Sequence, residues 1–126
     1  MMQHILAVAV GGGIGAALRY AVTLLANAHG VVAFPYGTVL VNIIGSFLIG
    51  LLMMYFQAQA DLPPSVKLFA VTGVLGGFTT FSTFNMELLT FIRAGEMGFA
   101  LLYGGLNVVG AFLFCWLGLA AGTALW

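Results

Sequence analysis

The sequence predicts an all-α membrane protein with four transmembrane helices per subunit, the third of them broken mid-membrane. Three observations carry this reading. Of the 126 residues, 63% are hydrophobic and only 5% charged, where a soluble domain carries about 25% charged residues. Polar breaks divide the chain into four apolar segments, each long enough for the roughly 20 residues that cross hydrocarbon. Inside one of these lies Gly73-Val74-Leu75-Gly76-Gly77-Phe78-Thr79-Thr80-Phe81-Ser82-Thr83-Phe84-Asn85. Glycine and threonine are weak helix formers, so a helix starting near Lys67 is expected to loosen over Gly73 to Thr80 and resume towards Arg93. Loosened backbone survives in a bilayer only when buried in protein or lining a wet cavity. It therefore marks an ion or substrate site, or a close helix contact built from small residues.

The composition also excludes function classes. Three Lys/Arg balance three Asp/Glu, leaving no basic surface for a nucleic acid. Cys115 is the single cysteine, so neither a disulfide framework nor a thiolate metal site is expected. There is no visible nucleophile–base pair or metal cluster, and the chain reads as a non-enzyme. Met1-Met2-Gln3-His4 lacks the basic head of a secretory signal, and the apolar run that follows reads as a retained first helix. His4 and His29 are isolated and read as interfacial residues. Residues 1–126 form one integral membrane domain, with helices at about 4–25, 37–56, 65–92 and 98–125 and short connections.

In the first helix Gly11 and Gly15 form a GxxxG pair, a face for close packing. Arg19 lies inside the same apolar segment, where a charge is expensive unless it snorkels or faces water. In the second helix Asn42, Gly45 and Ser46 fall on one small, polar stripe that Thr38 extends by a turn. An amide at that depth is either glue between helices or a donor to something passing. In the third helix Phe81 and Phe84, three apart, share a face, and Ser82 and Asn85 share an adjacent one. A ring edge is electropositive, so such edges, alternating with hydroxyls, suit the path of a poorly hydrated anion. Glu87, one turn past Thr83, is expected to be satisfied by that hydroxyl or by water. In the fourth helix Tyr103 and Asn107 share a polar face, with Gly104 and Gly110 nearby; Trp116 fits apolar packing and Trp126 an interfacial belt.

With these residues in view, the sequence resembles the Fluc (CrcB-type) family of small fluoride channels along nearly its whole length. The most specific match is Gly76-Gly77-Phe78-Thr79-Thr80-Phe81-Ser82-Thr83-Phe84, followed by Glu87. Gly11-Gly12 through Leu18-Arg19, Gly37-Thr38-Val39-Leu40-Val41-Asn42 and Tyr103 support it. The resemblance implies passive, fluoride-selective conduction by a homodimer of oppositely inserted subunits with two pores, exporting cytoplasmic fluoride across a bacterial inner membrane. It implies that Phe81 and Phe84 line each pore, that Asn42 donates to the anion, and that Ser82, Thr83 and Tyr103 form a polar track, with which Thr38 is grouped. Arg19 matches a basic residue near the vestibule. The backbone carbonyls of Gly76 and Thr79 match those that hold a structural sodium ion at the dimer centre. Asn85 differs from the smaller residue seen in relatives and is assigned no role.

Two other classes compete. A proton-coupled exporter of drugs or metabolites needs a buried carboxylate, and the first two helices offer none. A non-transporting assembly subunit would tolerate Leu and Ala across the polar face. The charge distribution speaks separately to orientation. With four spans, Lys67 falls on the side of both termini, while Arg19 and Arg93 flank the loops of the other. Orientation follows an excess of Lys/Arg, and that excess is nearly absent, so both insertions are expected.

Overall fold

The computed structural model describes residues 1–28 and 34–126; His29 falls outside them. Four helical spans account for the described chain. Helix α1 is Met2–Ala28 and α2 is Tyr36–Ala58. The third span has two parts, α3 (64–78) and α4 (Ser82–Arg93), and the fourth span is α5 (Met97–Leu125). Helix α1 runs past its apolar segment at both ends, taking in Gln3 and Asn27.

Local chemistry sets the boundaries. Pro35 precedes α2, and Pro64 starts α3 at the first helical position, where its missing N–H leaves no bond unmade. Gly95 ends α4 with φ 77°. There Glu96 N–H donates to Phe91 O at 2.9 Å and Gly95 N–H to Ile92 O at 3.1 Å, which turns the chain directly into α5.

In lipid, burying apolar surface drives helix association little, so close packing has to do the work. α1 packs along α3, and α2 packs along the 111–125 half of α5. Small residues allow both contacts. A Cβ on Gly11 or Gly15 would strike the backbone of Phe69 and Val74 respectively, and one on Gly77 would strike Gly12 O. A Cβ on Gly50 would meet Cys115 O, and one on Gly118 would meet Phe47 O. The GxxxG pair of the first helix is thus a packing face, and its partner is the glycine-rich part of the third span. The buried hydrophobic core is Phe34, Val39, Phe84 and Tyr103, with Ile43, Leu88, Phe91 and Leu106 against it.

The opening of the third span lies later than glycine content suggests. Residues 73–78 remain helical, with π-helical turns over Leu68–Leu75 and an α turn at Gly76–Phe78. The chain leaves the helix at Thr79, which is extended at φ −86°, ψ 160°, and resumes at Ser82. Gly73 and Gly77 serve the contact with α1 rather than the break. A second π-helical stretch, Leu106–Gly110, interrupts α5 at the same level as the polar groups described next.

Candidate functional site

Asn42, in the second turn of α2, faces the opening in the third span. Its Oδ1 accepts from Thr80 N–H at 2.8 Å, and its Nδ2 donates to Thr80 O at 3.0 Å. One carboxamide thus supplies both partners that an extended backbone residue needs. A second Nδ2 hydrogen goes to Asn107 Oδ1 at 2.8 Å, and Asn107 Nδ2 donates to Tyr103 O at 3.1 Å. The Thr80 hydroxyl accepts from Thr83 N–H at 3.2 Å and so caps the first turn of α4.

These bonds leave two carbonyls without their usual donors. In a continuous helix, Thr80 N–H would pair with Gly76 O and Thr83 N–H with Thr79 O. Both donors are diverted, to Asn42 and to the Thr80 hydroxyl. The carbonyl between them in sequence, Gly77 O, accepts from Arg19 Nε at 2.9 Å. A guanidinium at the C-terminal end of a half-helix is favoured by the helix dipole. Arg19 therefore reaches inward to the break instead of snorkelling to the interface.

A second cluster surrounds Glu87. Its Oε1 accepts from Thr38 Oγ1 at 2.6 Å and from Tyr103 Oη at 2.8 Å. Thr38 is 5% exposed and Tyr103 is fully buried, so this acid is held by two buried hydroxyls from α2 and α5. Phe84, 4% exposed, meets Tyr103 edge-on, with ring centroids 5.5 Å apart at 68°. Phe81 is 5.8 Å from Phe84, yet it is 71% exposed.

Two cavities follow this architecture. A pocket of about 160 Å³ is lined by Arg19, Thr23, Thr38, Thr80, Thr83 and Glu87, among others. An open-sided groove of about 420 Å³ is lined by Asn42, Ser46, Gly76, Thr79, Phe81, Phe84 and Asn107, and again by Thr80. Thr80 stands on the wall between the two. The residues expected on the path are thus divided. Thr38, Thr83 and Arg19 line the pocket; Asn42, Phe81 and Phe84 line the groove with Gly76 and Thr79; Tyr103 bridges the clusters through Glu87 and Asn107. Ser82 joins neither cavity and is exposed on the first turn of α4. Adjacent helical residues point about 100° apart, so Ser82 and Thr83 do not share one track within the subunit.

Residues 6–119 match the family model described as CrcB-like protein, Camphor Resistance (CrcB). The chain belongs to the CrcB family. Among its relatives is the fluoride-specific ion channel FluC of Acinetobacter baumannii, 43% identical over 121 residues that cover 96% of this chain and 94% of the relative. The protein of the same name from Burkholderia thailandensis is 41% identical over 119 residues, 94% of this chain and 92% of the relative.

Sequence reasoning about this CrcB chain missed three features. Glu87 was paired with Thr83 or water, whereas its donors are Thr38 and Tyr103. Asn107 had no assigned partner, and Thr80 was not singled out. One signal was available: a lone acid in a membrane requires partners, and hydroxyls on the other helices, Thr38 and Tyr103 among them, were candidates besides the neighbouring Thr83. Asn85 is exposed on α4, away from both cavities.

Proposed function

We propose that this CrcB protein is a fluoride-selective channel through which cytoplasmic fluoride leaves passively, working as an antiparallel homodimer with two pores in a bacterial inner membrane. The observation that carries the reading is the pairing of two cavities at the break, lined by hydroxyls, amides and aromatic side chains and divided by Thr80. A small anion gives up strong hydration on leaving water, so the path must offer hydrogen-bond donors throughout. Arg19 draws the anion to the pocket, and Thr83 supplies a hydroxyl there. The Thr38 and Tyr103 hydroxyls reach the anion only by leaving Glu87, and Phe81 and Phe84 line the groove beside the Asn42 amide. Ser82 joins this path only at a surface that a partner subunit covers.

The dimer follows from cost. The groove opens sideways with Gly76 and Thr79 in its wall, and their carbonyls, deprived of their helical donors, are unfavourable where they face lipid. A second, inverted copy closes it and covers the exposed Phe81. The same packing brings Gly76 O and Thr79 O of both subunits together. Four carbonyls without a carboxylate suit sodium better than a divalent ion, which recruits acidic ligands. A bound sodium would fix the two breaks against each other as a structural ion.

Fluoride enters cells as neutral HF and is trapped as the anion in a less acidic cytoplasm; a passive leak for the anion releases it down its gradient. Expression should therefore let fluoride-sensitive bacteria lacking their own exporter grow in fluoride that stops the parent strain, most clearly in mildly acidic medium. Equal growth of both strains, with the protein present in the membrane, would contradict the proposal.

A further inference from the structure

We infer that Asn107 is a positioning residue for the anion path, holding the Asn42 carboxamide in the one orientation that clamps Thr80. The inference rests on the channel reading above only for its effect on flux; the orientation itself follows from hydrogen-bond polarity. Thr80 N–H can only donate, so the Asn42 atom facing it is Oδ1. Tyr103 O can only accept, so Asn107 presents Nδ2 to it and turns Oδ1 towards Asn42. Two main-chain groups, one in the break and one on α5, thus fix both side-chain amides, at 2.8 Å from Thr80 N to Asn42 Oδ1 and 3.1 Å from Asn107 Nδ2 to Tyr103 O. The bond that joins them is Asn42 Nδ2 to Asn107 Oδ1, at 2.8 Å.

Asn107 is 6% exposed and sits in the π-helical stretch of α5. From there it returns to the carbonyl of Tyr103, the residue whose hydroxyl holds Glu87. Both amides line the groove. Each of the two Asn42 amide hydrogens already has an acceptor, Thr80 O or Asn107 Oδ1. An anion that takes a hydrogen from Asn42 therefore has to displace one of them. Displacing Asn107 Oδ1 leaves the clamp on Thr80 intact, whereas displacing Thr80 O opens the break. Asn107 thereby keeps available the amide hydrogen whose release does not disturb the backbone. Without Asn107 the carboxamide is held by Thr80 alone, so the clamp opens more often and the second amide hydrogen is no longer kept poised in the groove.

The test uses full-length protein with labelled asparagine and threonine, reconstituted in nanodiscs for hydrogen exchange and in liposomes for fluoride flux. N107L keeps the side-chain size and removes both polar atoms. N107S keeps a hydroxyl able to donate to Tyr103 O and accept from Asn42. In the wild type, the Asn42 side-chain hydrogens should exchange at least about tenfold more slowly than those of exposed Asn85. In N107L, exchange at Asn42 and at Thr80 N–H should rise by about tenfold or more, and flux should fall by about tenfold. N107S should restore both to within about threefold of wild type. Flux lost in N107L with wild-type exchange at Asn42 and Thr80 would mean that Asn107 acts on the ion directly, and would overturn the inference. If N107L does not fold, fast Asn42 exchange in the wild type, or unprotected Asn42 in N107S, overturns it equally. A wild-type protein that passes no fluoride removes the channel reading, while the exchange comparison still decides the positioning claim.

Discussion

Replacing Phe81 or Phe84 by Ile lowers fluoride flux by about a hundredfold, equivalent to about 2.7 kcal/mol of barrier, while the protein still purifies as a dimer. The two positions reach that result differently. Phe84 is buried and lies edge-on against Tyr103, so the substitution removes an electropositive ring edge and also loosens the aromatic core. Phe81 is mostly exposed in the single subunit and lines the groove, so F81I leaves the subunit's own core intact and alters packing only where the partner covers it. F81I is therefore the cleaner variant, and liposome efflux with size-exclusion chromatography reads both consequences. Wild-type flux in both variants would contradict an aromatic path. So would a pattern in which F84I fails to fold and F81I keeps both fold and flux, since the rings would then be structural only.

Adding two or three lysines at the end of α2 and in the loop that follows it, at positions such as Gln57, Gln59 and Ala60, abolishes function when that variant is expressed alone. Activity returns on co-expression with a variant biased the opposite way. The argument rests on charge. Arg19 lies within the helical bundle on Gly77 O, which leaves Lys67 and Arg93 near the two opposing membrane faces, one each. Orientation follows the side richer in Lys/Arg, and here neither side leads. Extra lysines create a leader, every subunit inserts one way, and the antiparallel pair cannot form. The unbiased population is measured directly with a cysteine at exposed Ala60, Cys115 replaced by Ala, and an impermeant thiol reagent on intact cells. About half of the protein should react, on the equal-insertion expectation. Labelling near zero or near complete would contradict dual topology.

The spans were legible in the sequence because the bilayer demands long apolar runs, and almost nothing else in 126 residues competes with that signal. The polar stripe of α2 was legible too, since Thr38 and Asn42 follow helical spacing. The site of the break was less so. Glycine serves both loosening and close approach, and only the packing of Gly73 and Gly77 against α1 separates the two. What spacing along one helix cannot carry is the pairing between helices. Thr38 of α2 and Tyr103 of α5 meet on Glu87, and Asn42 meets both Thr80 and Asn107. Those contacts decide which donors are engaged. Asn42 looks like a free amide in the sequence, yet both of its amide hydrogens already have acceptors.

The central claim is fluoride-selective conduction, and efflux from liposomes loaded with potassium fluoride tests it most directly. Purified wild-type protein is reconstituted, a potassium ionophore is added to release the opposing voltage, and a fluoride electrode records the external solution. Fluoride should appear rapidly only with both protein and ionophore, whereas matched vesicles loaded with chloride should retain their anion when followed by a chloride electrode. Fluoride retained in the protein-containing vesicles, or chloride released as fast as fluoride, would contradict the account.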